Sequence, residues 1–352
     1  MLICNSKDIQ YLTGVDEGIS WLIVFRNTTV AITRHMLVHE VTERIPECEV
    51  LLPCANSTDL PDLEEFVASE LRRRSATQVL IEMEKITAAS YLHLASCCEQ
   101  NGVILESTSR VVASLRIIKD NEELQAIRRC VNIAERSLRQ LISEGAAGFI
   151  GKTERQIAVE LERIMIDFGA DRQGFPATGI IIASGPNSSG AHHRPGSRRI
   201  ESGDPVLIDW GAELDGYRSD LTRTFFMRSV PEFALVAYPV VQQALHMAAE
   251  ILRPGMMLGT VDRAARRVIT AAGLPEFHYG VGHGVGLDIH EEPWIRADSE
   301  EGLEANMITT LEPGIYLHGI GGIRIENLFR IIPDGAENLA SFPTCLDEMI
   351  LP

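Results

Sequence analysis

IDWGAELDGYRSDLTRTF, running from Ile208 to Phe225, reads as two strands joined by a tight Asp215-Gly216 turn, with Asp209 on the first strand and Asp220 on the second. Asp-Gly between two apolar-rich runs is a strong hairpin signal. A hairpin folds the chain back on itself, so two carboxylates distant in sequence can face each other across it. In a half-buried sheet they repel unless a positive charge sits between them, and a divalent cation is the usual solution. Taken alone, the stretch also fits two strand-end aspartates that face water.

Working outward, the hairpin is preceded by the apolar run TGIIIAS and the loop GPNSSGAHHRPGSRRIESGD, which carries His192, His193 and Arg194. That loop is long for a connection inside a compact domain, and long loops are often functional. Downstream, HYGVGHGVGLDIHEEP holds His283 between glycines, then His290. Flanking glycines let backbone approach closely and relieve crowding around an imidazole. MITTLEPGIYL carries Glu312 on a strand broken by Pro313-Gly314, and GIRIENLFRII alternates as one strand with Glu326 projecting from it. Arg324, two residues earlier, falls on the same strand face. Each of these residues is ambiguous alone, but the set holds four carboxylates and one imidazole. Such a hard, oxygen-rich group suits Mn²⁺, Co²⁺, Fe²⁺ or Zn²⁺. Five protein ligands exceed what one catalytic ion takes, and fit two ions that share carboxylates at roughly 3.5–4 Å.

At 352 residues the chain is too long for one small core, and two domains are expected. Hydrophobic residues at 45% and charged ones at 23% are typical of a globular enzyme. Lys and Arg number 32 against 49 Asp and Glu, a net −17, which does not suit non-specific binding to the phosphate backbones of nucleic acids, where a basic stripe is needed. No apolar run is long enough to span a bilayer. MLICNSKDIQYLTG lacks the order of a signal peptide, and seven cysteines without CxxC spacing read as reduced thiols, so a cytoplasmic location is expected. Cys97-Cys98 reads as part of an apolar helix face.

In the first third, a hairpin from Ile19 to Thr33 is followed by alternating strands and helices, including a helix over the Thr58–Ser75 segment that opens on capping residues. That alternation predicts a small α/β domain with a mainly parallel sheet. It contains no phosphate-cradling glycine loop. His35, His39 and His93 fall on helices with no partner pattern and are expected to be structural or at the surface. The segment from Ser114 differs: Asp120 or Asn121 can cap a long amphipathic helix that runs to Gly145. Thr153 is set for a capping box with Gln156, and Thr260 is expected to cap a later helix that ends at Gly273.

The segments IDWGAELDGYRSDLTRTF, GHGVGLDIHEEP, TLEPGIY and GGIRIEN, with SGPNSSGAHHRP upstream, resemble in order the site blocks of the pita-bread metallopeptidases, in their aminopeptidase P and prolidase branch. DIQYLTGV and LRIIKDNEELQAIRR resemble the family's opening phrase and its approach to the catalytic domain, so the likeness covers nearly the whole chain. It implies an α/β amino-terminal domain of creatinase/prolidase type over residues 1–114, followed by an α+β pita-bread (creatinase/aminopeptidase-like) catalytic domain over residues 115–352. It makes Asp209, Asp220, His283, Glu312 and Glu326 the ligands of two divalent ions, Mn²⁺ first, with Asp220 and Glu326 bridging. A water between the ions would attack the scissile carbonyl, with Glu312 moving its proton and His290 steadying the oxyanion. His192 matches the family's substrate-binding histidine, with His193 as the fallback should the alignment slip by one, and Arg324 would support Glu326 from beside it.

The implied reaction removes a residue that precedes proline, from a peptide with proline second, or splits an Xaa-Pro dipeptide, in a protein expected to be a homodimer. One departure is that DIQYLTGV comes close to the first Met, where relatives commonly carry a helix. Methionine aminopeptidases share the ligand set but usually lack a leading domain. Creatinase has that domain and works without metal. A non-peptide amidase of the creatinase-like group is the enzymatic alternative, and a catalytically silent pita-bread binding module is the non-enzymatic one.

Overall fold

A computed structural model describes residues 1–53, 62–175 and 178–352. The chain divides into two compact units, Met1–Arg116 and Ile117–Pro352.

The amino-terminal unit carries strands β1 (Leu2–Ile3), β2 (Ile19–Val24), β3 (Thr29–Thr33), β4 (Glu49–Leu51), β5 (Gln78–Glu82) and β6 (Ile104–Thr108). Its helices are α1 (Ser6–Thr13), α2 (Val38–Arg44), α3 (Leu63–Arg73), α4 (Ala88–Gln100) and α5 (Val111–Ile117). The strands lie in the order β4-β3-β2-β1-β5-β6. Pairs β3/β4, β1/β5 and β5/β6 are parallel, whereas β1/β2 and β2/β3 are antiparallel. The sheet is therefore mixed, with three parallel pairs and two antiparallel ones. The cause is the two-residue β1, too short to leave a sequence signal, which enters the middle of the sheet against the β2/β3 hairpin. Asp62 caps α3, while the Thr58-Asp59 start predicted for that helix lies outside the described residues. Cys97 and Cys98 are buried among Ile23, Val67, Leu71 and Leu94, and burial raises the Cys98 thiol to about 11. His35, His39 and His93 are exposed, with His93 Nε2 2.5 Å from Asp62 Oδ2.

The carboxy-terminal unit opens on α6 (Asn121–Leu141), started by a reciprocal capping box between Asp120 and Glu123, and α7 (Glu154–Asp167), started by the Thr153/Gln156 box. There follow β7 (Arg172–Gln173), β8 (Ile181–Ser184), β9 (Pro205–Trp210), β10 (Ala212–Leu214), β11 (Tyr217–Arg218), β12 (Leu221–Met227), α8 (Glu232–Ala249) and α9 (Leu258–Ala271). The last third supplies β13 (Gly282–Gly284), β14 (Glu291–Ile295), β15 (Ile308–Leu311), β16 (Gly314–Leu317), β17 (Gly321–Arg324), β18 (Asn327–Ile332), β19 (Gly335–Asn338) and β20 (Ile350–Leu351). Strands β20-β12-β9-β8 form one sheet and β15-β18-β19 another, with β13/β14 and β16/β17 as separate hairpins. Helices α6 and α7 pack together, as do α8 and α9, and Trp210, Phe225, Tyr238 and Ile308 lie in the core between helices and strands.

Three local expectations change. Helix α9 begins after Met257 rather than at Thr260, because the carbonyls of Glu301 and Ser299 accept from Leu258 N and Gly259 N at 2.9 and 3.1 Å. The 208–225 hairpin has two storeys. The tip pairs Leu214 with Tyr217 around Asp215 and Gly216, both at positive φ, as a two-residue primed turn requires. The base pairs Asp209 with Thr222, so Asp220 sits in the break just before β12 rather than on a strand opposite Asp209. The late segment is likewise not one strand. It breaks after Arg324, and Glu326 sits in the break, held by a bridge from its amide to Thr222 O at 3.1 Å.

Candidate metal centre

The two broken hairpins converge because Thr222 serves both. Its hydroxyl donates to Glu326 Oε2 at 2.8 Å and accepts from Arg324 Nε at 3.1 Å, while Asp209 lies opposite it on β9. Arg324 is buried and reaches Asp209 Oδ2 through Nη2 at 2.5 Å. Its Nη1 donates to Tyr316 Oη at 2.8 Å and to the Ala191 carbonyl at 3.0 Å. Tyr316 Oη lies 2.7 Å from Tyr279 Oη, which reaches Glu312 O at 3.3 Å.

His283 enters from β13. A Cβ at Gly282 would lie 2.0 Å from Thr310 O, and one at Gly284 2.1 Å from Glu292 O, so only glycine fits on either side of it. Its Nδ1 faces the Gly284 carbonyl at 3.1 Å, which leaves Nε2 for the site. Nε2 lies 3.4 Å from Glu312 Oε1 and 3.6 Å from Asp220 Oδ2.

Ligand atoms of Asp209, Asp220 and Glu326 all lie within 4.8 Å of one another, as do those of His283, Glu312 and Glu326, and those of Asp220, His283 and His290. Asp220, His283 and Glu326 each belong to two of these groups. All the residues line one cavity of ≈ 350 Å³, together with His192, Arg324, Phe175, Ile181, Trp294 and Arg296.

This donor set fits divalent cations. Asp209 Oδ1 is buried with no hydrogen-bond partner among the described residues, although a buried carboxylate oxygen left bare is costly. Burial first, and then the neighbouring carboxylates, push Asp220 and Glu326 well above the usual carboxylate range. Asp209 is also raised, by burial, against the opposing pull of Arg324. Cations among these groups reverse that balance. Imidazole and carboxylate together suit Mn²⁺, Fe²⁺, Co²⁺ or Zn²⁺.

Two further histidines border the cavity. His290 is exposed at one side, its ring centroid 4.4 Å from that of His283, and its pKa is pushed down to about 4 by desolvation and by His283. At neutral pH it is thus an uncharged imidazole. His192 borders the cavity from the 185–196 loop. His193 does not: its Nε2 donates to Glu154 Oε2 at 2.8 Å, which turns the ring towards α7.

The sequence reading misses Tyr279, Tyr316, Thr222, Arg296 and Glu154. Tyr316 and Thr222 stand inside motifs quoted for other residues. Glu154 looks like an ordinary first-turn acid of a capped helix, yet it is fully buried. Burial alone would raise its carboxyl, but hydrogen bonds from His193, Asn187, Ser184 and Gly196 outweigh that and hold it below the ordinary glutamate value.

Comparison with known proteins identifies both domains. Residues 1–118 match the Creatinase/Prolidase N-terminal domain, and residues 125–333 match metallopeptidase family M24. An Xaa-Pro dipeptidase of Pyrococcus furiosus is 40% identical over 230 residues, 65% of this chain and 64% of the relative. The match thus spans less than two thirds of that relative's own length. The structure of an Xaa-Pro dipeptidase from Bacillus anthracis is 28% identical with a TM-score of 0.90, covering 99% of this chain and 94% of that one. An X-Pro aminopeptidase from Thermotoga maritima MSB8 is 26% identical with a TM-score of 0.86, covering 99% and 96%. With a creatinase/prolidase-type α/β domain in front and a pita-bread domain behind it that matches over 125–333, the chain belongs to metallopeptidase family M24.

Proposed function

We propose that this protein is an Xaa-Pro peptidase, dependent on two divalent metal ions, that hydrolyses the bond before proline at a peptide's amino terminus. The observation that supports this best is the convergence of four carboxylates and one imidazole in a single cavity, with His192 and His290 at its border. Asp209, Asp220, His283, Glu312 and Glu326 would hold the ions, with Asp220 and Glu326 shared. When bound, the ions supply Lewis acidity that makes water a nucleophile near neutral pH and polarises the scissile carbonyl.

The chain's own groups do the rest. Glu312 is partly open to the cavity, and accepts the water's proton and hands it to the leaving nitrogen. A nitrogen bonded into proline has no N–H of its own, so departure needs that proton. His290, neutral at pH 7, donates to the developing oxyanion. His192 orients the substrate from the loop side. Arg324 fixes Asp209 through Nη2 and, through Thr222, Glu326.

The dipeptidase form of the reaction is favoured by Arg296. It stacks on Trp294 at 4.9 Å and lines the cavity from an exposed position, where it offers a positive charge to the free carboxylate of an Xaa-Pro dipeptide. Arg296→Ala should raise KM for Xaa-Pro dipeptides about 10-fold and leave Xaa-Pro-Yaa tripeptides unaffected. An equal loss on both substrates argues for the aminopeptidase form.

The decisive experiment is a panel of Xaa-Pro dipeptides, Xaa-Pro-Yaa tripeptides and Met-initiated peptides with Mn²⁺, Co²⁺ and Zn²⁺. Cleavage of the Met peptides alone overturns the assignment. Mn²⁺ as the working ion is part of the proposal, as is a homodimer, which sedimentation tests. The free thiols Cys4, Cys48, Cys97, Cys98, Cys130 and Cys345 fit the reducing, cytoplasmic setting that we also propose.

A further inference from the structure

We propose that Glu154 is a positioning residue for the reaction: one buried carboxylate on which the loop presenting His192 is hung. This rests on the Xaa-Pro peptidase reading for its kinetic consequence, and on geometry alone for its structural one.

Glu154 is the first residue of α7 and has no exposed surface. Its Oε1 accepts from Ser184 N at 2.8 Å, Ser184 Oγ at 2.8 Å and Asn187 Nδ2 at 3.0 Å. Its Oε2 accepts from His193 Nε2 at 2.8 Å and Gly196 N at 3.0 Å. Five donors from residues 184–196 therefore end on two oxygen atoms. The start of a helix, where amide dipoles point outward, is a favourable place to bury that negative charge.

A helix needs no such carboxylate, because α7 is already capped by Thr153 and Gln156. What Glu154 adds is order in a segment that has no strand of its own between β8 and β9. His192 is bracketed by this order. On one side the Ala191 carbonyl accepts from Arg324 Nη1, the same guanidinium that holds Asp209. On the other, the His193 ring is fixed to Glu154. His192 itself makes no hydrogen bond among the described residues, so its direction into the cavity is set by its two neighbours. The tandem histidines thus divide the work: His193 fastens the loop and His192 faces the substrate. Holding a substrate-facing group to a fraction of an ångström is what such supporting bonds contribute.

The test is a double-mutant cycle on the metal-loaded protein with an Xaa-Pro dipeptide, run alongside amide hydrogen exchange. Glu154→Gln keeps the shape but sets an amide against donors that need an acceptor. It should lower kcat/KM about 10-fold or more in the wild-type background. In a His192→Ala background the same change should cost less than about 2-fold, because Glu154 acts through His192. Amides of residues 185–196 should exchange faster in Glu154→Gln, with α6, α8 and α9 unchanged.

Losses that multiply in the cycle, or a folded Glu154→Gln with wild-type kcat/KM, overturn the proposal. His193→Ala removes one donor and leaves the other four, so it carries the same measurements should Glu154→Gln fail to fold. If the wild-type protein cleaves no Xaa-Pro peptide, the functional reading fails. Exchange of the 185–196 amides then still decides the anchoring, and unaltered exchange in both variants refutes it.

Discussion

Both units of this protein bury acidic side chains against cations or donors, as Glu154 is in the second, but the second unit also holds a cluster treated in the opposite way. In the amino-terminal unit Asp8 meets Arg116 at 2.8 Å, and Glu70 meets Arg73 Nη2 at 2.8 Å. Glu82 accepts from the amides of Val111 and Val112 at 2.5 and 3.3 Å, which fixes the start of α5. Each acid there faces a cation or a backbone donor. In the carboxy-terminal unit Asp209, Asp220 and Glu326 crowd one another instead, with Arg324 as the cation in contact with Asp209. A core gains nothing from like charges at such range. Their retention is intelligible only if a cation belongs among them, and this marks one unit as scaffold and the other as site.

The largest effect that would break this contrast is on turnover. Asp220→Ala and Glu326→Ala each remove a carboxylate that the proposed arrangement shares between its two ions, so both ions would lose their place. Several kcal/mol of transition-state stabilisation are then lost, and kcat with an Xaa-Pro dipeptide at saturating Mn²⁺ should fall by about 1000-fold or more. Calorimetric titration should show the loss of metal binding directly. Rates near wild type in either variant would refute the shared roles.

Next in size is a reversal of sign in stability. Glu82→Ala strands buried amide donors and should destabilise the protein by about 1–3 kcal/mol. Asp220→Asn, made in metal-stripped protein, should instead raise the thermal midpoint, because it deletes a charge that burial and Glu326 already disfavour. Should Asp220→Asn lower the midpoint of the stripped protein, the crowding described here is not strained and the contrast between the units disappears.

The same contrast governs what could be read from the sequence. The five candidate ligands were legible as a set rather than singly, with Asp209 and Asp220 in an Asp-Gly hairpin, His283 between glycines, Glu312 before Pro-Gly and Glu326 on an alternating segment, in an order that resembles the family's site blocks. The two capping boxes at Asp120 and Thr153 were legible locally, since their bonds span three residues. What the sequence hid depends on partners far apart. Glu154 draws its donors from 30 to 42 residues away, so nothing in its neighbourhood separates it from a solvated helix acid. The break at Glu326 is imposed by Thr222, 104 residues earlier, against an apolar alternation that favours a continuous strand. Strand β1 is two residues long, and only its partners in the sheet reveal it. His193 stood as the fallback for His192 because adjacency in sequence says nothing about which ring turns towards a buried carboxylate.

The smallest effect is a slope with pH, and it separates two kinds of buried acid within the carboxy-terminal unit. The Glu154 carboxyl is held below its ordinary value of 4.5 by its donors. A depressed acid contributes stability that is fully present above the unfolded value and is lost as pH falls through the folded one. The difference in stability between wild type and Glu154→Gln should therefore be constant from about pH 5 to 8 and shrink below about pH 4. Asp220 and Glu326 are raised in the protein without metal, so the folded state binds more protons than the unfolded chain above the ordinary carboxylate range. Stability of the stripped protein then declines as pH rises through the raised values, and Asp220→Asn should flatten that decline. Denaturant midpoints across this pH range measure both trends in one series. Parallel slopes for the two variants would mean that Glu154 is not held by its donors as its hydrogen bonds require, and that the anchoring of the His192 loop is weaker than its geometry implies.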